Sequence, residues 1–429
     1  MLRTSRPSRP LRALAASAAA LVLAFGSAAC NSASNGSSGA DGREGGAVRG
    51  VTADAIRVGG IVSMTTASGY SKKDTDLGAR ARYLRANAEG GVAGRKIEYL
   101  GAQDDGQDPA RNMAAARMAV QQDGVFAVAP MSSVTFAGAE FLERSKVPTF
   151  GWGTTPAFCG PKYVYGFNGC LVPTPGGTLN QTWPEGIAKV LGGAAGKSVA
   201  IIANDSDAGK FGVRTFGLGF AKAGFKVAYA KPSVPAASVP TDWSAYVKDI
   251  LRGDGGGAPD AVVSVMQTPN NIGLFTALKR AGYQGVLTDP TDYDPGLLAK
   301  DATRQALDGT YVLLQFMPFE QDDPKMTRFK ADIKRAAGGK DVPLNMHMLT
   351  GYMSADLFLA IAAKAGKDLT PESFQAAAAG FADTGTLVGD RAEPRGQKES
   401  FGCGALVQLK GGSYRVAVPF TCYPPVPFR

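Results

Sequence analysis

Short apolar runs rich in β-branched residues alternate along this chain with stretches of helical period, the grammar of a parallel α/β sheet. Ala55 to Val62, AIRVGGIV, predicts a strand, and the polar SMTTASGYSKKDT predicts a loop after it. Asp76 to Ala88 predicts a helix, with Leu77, Ala81, Leu84 and Ala88 on one face and Gly90-Gly91 as its stop. Lys96 to Leu100 predicts a second strand, ending in Gln103-Asp104-Asp105. Asp108-Pro109 opens the next helix as cap and first residue. Phe126 to Phe158 then predicts a strand ending at Pro130, a Ser132-Ser133 turn, an amphipathic helix, and a strand running into a Gly153-Thr154-Thr155-Pro156 loop. In a parallel sheet both polar ends emerge at one carboxyl edge, where open α/β sheets bind ligands.

Residues 156–178 break the pattern with Pro, Gly and two cysteines, and are expected to be an ordered loop crossing to a second lobe. The same grammar then restarts. Helices are expected at Trp183–Leu191, Lys210–Ala223, Trp243–Leu251 and Ile272–Ala281, and strands at Ser198–Ala203, Phe225–Tyr229, Ala261–Met266, Val286–Thr288 and Gly309–Phe316. Pro324–Ala337, Met348–Ala365 and a stretch opened by Thr370-Pro371 predict further helices, and Phe401 to Val418 a hairpin turning at Gly411-Gly412. The chain of 429 residues is long enough for two domains, so the expectation is two Rossmann-like lobes with parallel sheets.

The N-terminus changes the picture of where the chain works. Arg3, Arg6, Arg9 and Arg12 precede an apolar run, Ala13 to Phe25, too short to span a bilayer, and then Ser27-Ala28-Ala29-Cys30. Small residues before a Cys resemble the lipobox of bacterial lipoproteins, although Ser27 stands where Leu is usual. Residues 1–29 are therefore expected to be a signal peptide and Cys30 the lipidated N-terminus. The small, polar, Gly-rich residues 30–50 are expected to be a flexible tether to the extracytoplasmic face of the membrane. The alternative is an ordinary secretory signal cleaved near Ala29. Beyond residue 50 no stretch is expected to span a membrane.

Composition excludes several classes. The formal charge of +9 includes the four signal arginines, and no basic cluster remains for nucleic acid. A single histidine, His347, argues against a multi-His metal site and is expected to be buried or capping near a helix start. Asp104-Asp105 are expected to be solvated or capping rather than metal-binding. No nucleophile elbow, phosphate loop or zinc spacing occurs, so neither enzyme chemistry nor a cofactor is expected. With Cys30 lipidated, the other four cysteines form an even set for disulfides in an exported protein, and local pairing, Cys159–Cys170 and Cys403–Cys422, is the simplest connectivity.

NAEGGVAGRKIEYLGAQDDGQDP (87–109), the Ser-Ser turn, the Thr-Thr-Pro loop and GLFTALKRAGYQG (273–285) together resemble type I periplasmic binding proteins of the leucine/isoleucine/valine-binding group, receptors of ABC importers. The resemblance covers roughly residues 54 to 415. It implies two lobes joined by three hinge crossings, 51–174 with 318–385 and 175–317 with 386–429, closing on a small ligand and delivering it to a membrane permease. It places the first-lobe ligand contacts on Ser132 and neighbouring Ser133, on Thr154 with the backbone of Trp152 and Gly153, and on a loop aromatic near Tyr70. In the second lobe it places Ala208 where the family has a loop tyrosine, Gln267 or Thr268 where it has an aromatic, and Thr291, flanked by Asp289 and Asp292, where it has the acid that pairs with a ligand ammonium. The carboxylate half of an amino-acid site is thus kept and the ammonium half altered, which widens the expected ligands to related carboxylates and amides. Trp152, in place of a small residue, implies a smaller pocket or stacking on a flat ligand. A sensor of the same fold, feeding a signalling partner, is the rival reading.

Overall fold

The computed structural model of the chain describes residues 47–171, 177–253, 255, 257–392, 402–424 and 426–427. The signal peptide, Cys30 and most of the expected tether lie outside the described residues. The last tether residues are held against the body: Arg49 donates to the carbonyls of Val125 and Ser145 at 3.0 and 2.9 Å, and Gly50, at φ +71°, accepts from Arg57 N.

The first run of elements is β1 (Ala55–Val62), α1 (Asp74–Ala88), β2 (Lys96–Asp104), α2 (Pro109–Gln121), β3 (Ala127–Ser132), α3 (Ala139–Arg144), β4 (Thr149–Gly151) and β5 (Val164–Gly166). After a short β6 (Thr178–Leu179) come α4 (Thr182–Leu191), β7 (Ser198–Asp205), α5 (Asp207–Lys222), β8 (Lys226–Pro235), α6 (Ser244–Arg252), β9 (Ala261–Val265), α7 (Thr268–Arg280), β10 (Val286–Asp289), α8 (Asp301–Leu307) and β11 (Tyr311–Leu314). The last run is α9 (Pro324–Ala336), α10 (Met346–Ala365), α11 (Pro371–Ala378), β12 (Ala382–Thr386), β13 (Gly389–Ala392), β14 (Cys403–Lys410), β15 (Ser413–Cys422) and β16 (Val426–Pro427), which pairs with β6.

Two sheets organise two lobes. The first has the order β2-β1-β3-β4-β5, all parallel. The second runs β8-β7-β9-β10-β11 in parallel, then adds β14 and β15 antiparallel, so it is mixed rather than purely parallel. Within each lobe the parallel strands follow the doubly wound order in which the sequence direction reverses between the first and third strands, the position where such sheets bind ligands. The chain passes between the sheets three times, after β5, after β11 and after α11.

Sequence and structure part at several elements. Strand β3 continues through Pro130 to Ser132, and its ladders with both β1 and β4 slip register there, since proline has no N–H to give. The helix expected after it shrinks to the six residues of α3. Residues 156–178, expected to be loop, contain β5, whose VYG is too short to show a period. Strand β8 runs on to Pro235, and the polar hairpin β12–β13 and helix α8 were not anticipated.

Helix α10 is long and apolar enough to cross a membrane by length and composition, contrary to the expectation for residues beyond 50, yet most of it is buried in the first lobe. It packs on α1, β3 and β4, with Leu349, Met353, Leu357, Phe358 and Ile361 all inaccessible to solvent or nearly so. Such side chains stabilise the fold by about 1.5–3 kcal/mol each when removed from water. Its crossing with α1 is close because two glycines face each other's backbone. A Cβ on Gly78 would stand 1.8 Å from Met348 O, and one on Gly351 would stand 1.9 Å from Thr75 O. Two disulfides are present, Cys159–Cys170 around β5 and Cys403–Cys422 joining the open ends of the β14–β15 hairpin.

Candidate functional site

The carboxyl ends of the two sheets face each other across a cleft with about 1180 Å³ of empty space, its open mouth included. Lobe 1 contributes the loop after β1 and the ends of β3 and β4, together with the first turns of α10. Lobe 2 contributes the start of α5 and the loops after β9 and β10.

The polar edge of lobe 1 is built by long-range hydrogen bonds. The loop after β1 folds back because Lys72 N donates to Ser63 O and Ser71 Oγ donates to Met64 O. That return places Tyr70 and Lys72 on the cleft wall beside Ser132 and Ser133. Behind them, Ser63 Oγ lies 2.6 Å from Asp105 Oδ1 and 3.0 Å from Ser133 Oγ. Asp105, expected to be solvated or capping, is instead fully buried; it also accepts from Asn112 Nδ2 and Gln107 N, and so holds Ser63 and through it Ser133 in place. Asp104 accepts the N–H groups of Met64, Thr65 and Gly106. Burial alone would raise its carboxyl, but these bonds and that of Thr65 Oγ1 outweigh burial and hold it well below the usual carboxylate range. Neither Ser132 nor Thr154 caps a helix: Ser133 Oγ accepts from Thr135 N in a local turn, and the residue before the 3-10 turn Pro156–Phe158 is Thr155.

His347 lies in the first turn of α10, whose N-cap Asn345 accepts from His347 N and Met348 N. Its ring meets the Tyr70 ring edge-on at 5.4 Å and lines the cleft. Burial, with the charge of Lys72 second, pushes the imidazole down to about 3, so it is neutral at physiological pH. Burial likewise pushes the Lys72 ammonium down to about 8, against the pull of Asp105. The Tyr70 phenol is raised by burial first and by Asp292, Asp289 and Asp294 after it, so it stays a neutral donor.

The facing wall is neutral. Asn204 is spent on Gln267 N and Pro235 O, Ser206 caps α5 at Gly209 N, and Thr291 Oγ1 donates to Met266 O. Asp289 and Asp292 are buried behind Thr291 rather than exposed to the cleft; Asp289 Oδ1 takes the N–H groups of Thr291 and Asp292. Burial raises both carboxyls, and for Asp289 the neighbouring Asp292 adds to it. Ala208, Gly209 and Gly212 leave the face of α5 open, so the cleft extends past Phe211 and Phe216 to Leu171.

Of the residues singled out in the sequence, Tyr70, Ser132, Ser133, Trp152, Thr154, Ala208, Gln267 and Thr291 line the cleft. Gly153 and Thr268 do not. The Gly153 N–H is taken by Asn168 Oδ1 at 2.9 Å, with Gly169 O where a Cβ would be, and Thr268 turns its hydroxyl to Thr291 O. Trp152 Nε1 donates to Gln315 Oε1 at 2.7 Å, which fixes the indole against the second crossing. The sequence reading missed Lys72, which resembles any solvated loop lysine, and the cleft position of His347. It also missed Phe211 and Phe216, whose helical spacing reads as core. Gln267 bridges the cleft: Ser68 Oγ donates to Gln267 Oε1 at 2.7 Å, and Gln267 Nε2 to Gln107 Oε1 at 3.2 Å.

The sequence profile of the periplasmic binding proteins matches residues 55–413. No curated protein matches the chain. Among solved structures, a fatty acid ABC transporter substrate-binding protein from Thermomonospora curvata is 19% identical with a TM-score of 0.70, over 88% of this chain and 94% of that one. A solute binding protein of an ABC transporter from R. palustris, in complex with 4-hydroxybenzoate, is 21% identical with a TM-score of 0.68, over 86% and 98%. A leucine binding protein from Thermotoga maritima is 18% identical with a TM-score of 0.65, over 85% and 99%. With its two doubly wound lobes, three crossings and interlobe cleft, the chain belongs to the periplasmic binding protein family, in the type I fold.

Proposed function

We propose that this protein is the extracytoplasmic solute-binding component of an ABC importer. It captures a small organic ligand between lobes formed by 51–174 with 318–385 and by 175–317 with 386–429, closes by a hinge movement, and presents the closed form to a membrane permease. The observation that carries this reading is the cleft at the carboxyl ends of both sheets, with polar groups on lobe 1 and a long apolar wall on lobe 2. The similar proteins from T. curvata, R. palustris and T. maritima are described as handling a fatty acid, 4-hydroxybenzoate and leucine respectively, so the fold accepts ligands of this size. Membership of the family supports an extracytoplasmic location, and the lipobox-like Ser27–Cys30 supports a lipid anchor at Cys30.

Thermal shift against a broad library of amino acids, amides and small aliphatic and aromatic carboxylates tests the binding role. At least one class is expected to raise the melting temperature by several degrees at saturation, through binding to the native state alone. A flat response across the library would falsify the solute-binding reading. For the anchor, Cys30→Ser is expected to move the protein from the membrane fraction to the soluble extracytoplasmic fraction; unchanged membrane association would rule out lipidation at that residue.

A further inference from the structure

We infer that the cleft takes an organic monocarboxylate without an amino group, an alkyl or aryl acid whose carboxylate lies against Lys72 and whose body lies along α5. The inference rests on the solute-binding reading and names the ligand class of that same site.

Charge is the first observation. Lys72 is the one residue with a full charge at neutral pH among the described residues that line the cleft. Its ammonium has no carboxylate and no hydrogen-bond acceptor among the described residues, and the nearby Asp105 is already spent on Ser63, Asn112 and Gln107. A partly buried, unpaired cation in a cleft is a site for one anion. The N-terminus of the twenty-residue helix α10, opening into the same edge, adds positive potential.

Donors are the second. Tyr70 and Ser132 line the same cleft as Lys72, and neither hydroxyl has a hydrogen-bond partner among the described residues. A carboxylate has the lone pairs to accept from all three.

The facing wall is the third. No Asp or Glu lines it, and its polar side chains at Asn204, Ser206 and Thr291 are committed within the protein. The ammonium of an α-amino acid, or the second carboxylate of a diacid, would find no charged side chain on that wall to pair with, since Asp289 and Asp292 lie behind Thr291 and Asp289 Oδ1 is taken by backbone N–H groups; an unpaired charge taken out of water costs several kcal/mol. Leu171, Phe211, Phe216 and Met266 instead offer an apolar surface to a hydrocarbon chain or ring.

Isothermal calorimetry on the purified full-length protein with sodium benzoate, sodium octanoate, benzamide and leucine tests this. Benzoate or octanoate is expected to bind at least a hundredfold more tightly than leucine or benzamide. Lys72→Met is expected to weaken the acid about tenfold or more, the worth of a charge-assisted bond, while Lys72→Arg retains most of the affinity. Retained melting temperature in Lys72→Met separates lost binding from lost fold.

The acid's affinity is also expected to fall as pH rises through about 8, where the ammonium deprotonates, and to level off near that of Lys72→Met, which should show no such fall. The groups facing this site are Asp105 just after β2, Tyr70 from the same loop, His347 from α10, and Asp289, Asp292 and Asp294 acting on Tyr70 from lobe 2. The variant therefore isolates the lysine's share. Leucine binding with silent acids overturns the ligand class and leaves the solute-binding role standing. Unchanged acid affinity in Lys72→Met overturns the role of the lysine. Silence of all four ligands overturns the class, and silence of the broad library as well overturns the role itself.

Discussion

Replacing Gly351 by valine is expected to destabilise the protein by about 3 kcal/mol or more and to weaken ligand binding along with it. Alanine at either Gly78 or Gly351 gains roughly 1 kcal/mol of helix propensity. That gain is small beside the overlap. The new Cβ at Gly351 would lie 1.9 Å from Thr75 O and 2.8 Å from Ala79 N, both backbone atoms of α1 that no rotamer change can move aside. The helices must separate, and α10 carries Met346, His347 and Thr350 into the cleft at the same end. Urea titration with calorimetry on the folded fraction checks both effects. A valine variant with unchanged midpoint and affinity would mean that the two helices do not cross at these glycines.

Removing the carboxylate of Asp356 is expected to cost a similar amount, about 3–5 kcal/mol, because it leaves buried arginines without their partner. Arg82 Nε reaches Asp356 at 2.7 Å and Arg391 Nη2 at 3.0 Å, and the Arg391 side chain is 1% exposed. Arg391 also meets Asp383, but Arg82 has no other carboxylate among the described residues. The pair ties the β12–β13 hairpin to α10 and α1 near the third crossing. Burial opposes the charge on Asp356, yet Arg391 and Arg82 outweigh it and hold the carboxyl below its ordinary value. Its stabilisation is therefore present above the unfolded-state value near pH 4 and is lost as pH falls through the lower folded-state value. Acid unfolding followed by circular dichroism should show a steeper loss of stability below pH 4 in the natural protein than in Asp356→Asn. Equal slopes would show that the ion pairs do not form.

Both of these positions were silent in the sequence, and the reason is physical. Gly78 and Gly351 lie 273 positions apart, and a single glycine in a helical pattern looks like a small cost until its partner's backbone is in view. What was legible was whatever local period encodes: the βα alternation of both lobes, the Asp108-Pro109 and Thr370-Pro371 helix starts, and the hairpin at Gly411-Gly412. Ser132 and Thr154 were legible because parallel strands must end on one edge. Lys72 was not, because its direction is set by a loop that closes on Ser63 through backbone bonds, and loop polarity alone does not distinguish a solvated cation from one facing a ligand. The short strand VYG and the polar hairpin β12–β13 escaped for a related cause, since pairing with neighbours rather than their own composition makes them strands.

The two bonds of Gln267 across the cleft set a limit on how the protein can report its state. Each is a neutral hydrogen bond between the lobes with a net worth of about 0.5–1.5 kcal/mol, and neither needs a ligand to form. Whatever they add to apparent affinity they also add to closure of the empty protein. In the proposed importer role, a tighter clasp would therefore raise the share of unloaded molecules that a permease reads as full, tenfold for every 1.4 kcal/mol. A serine and two glutamines, with no ion pair among them, keep that contribution small.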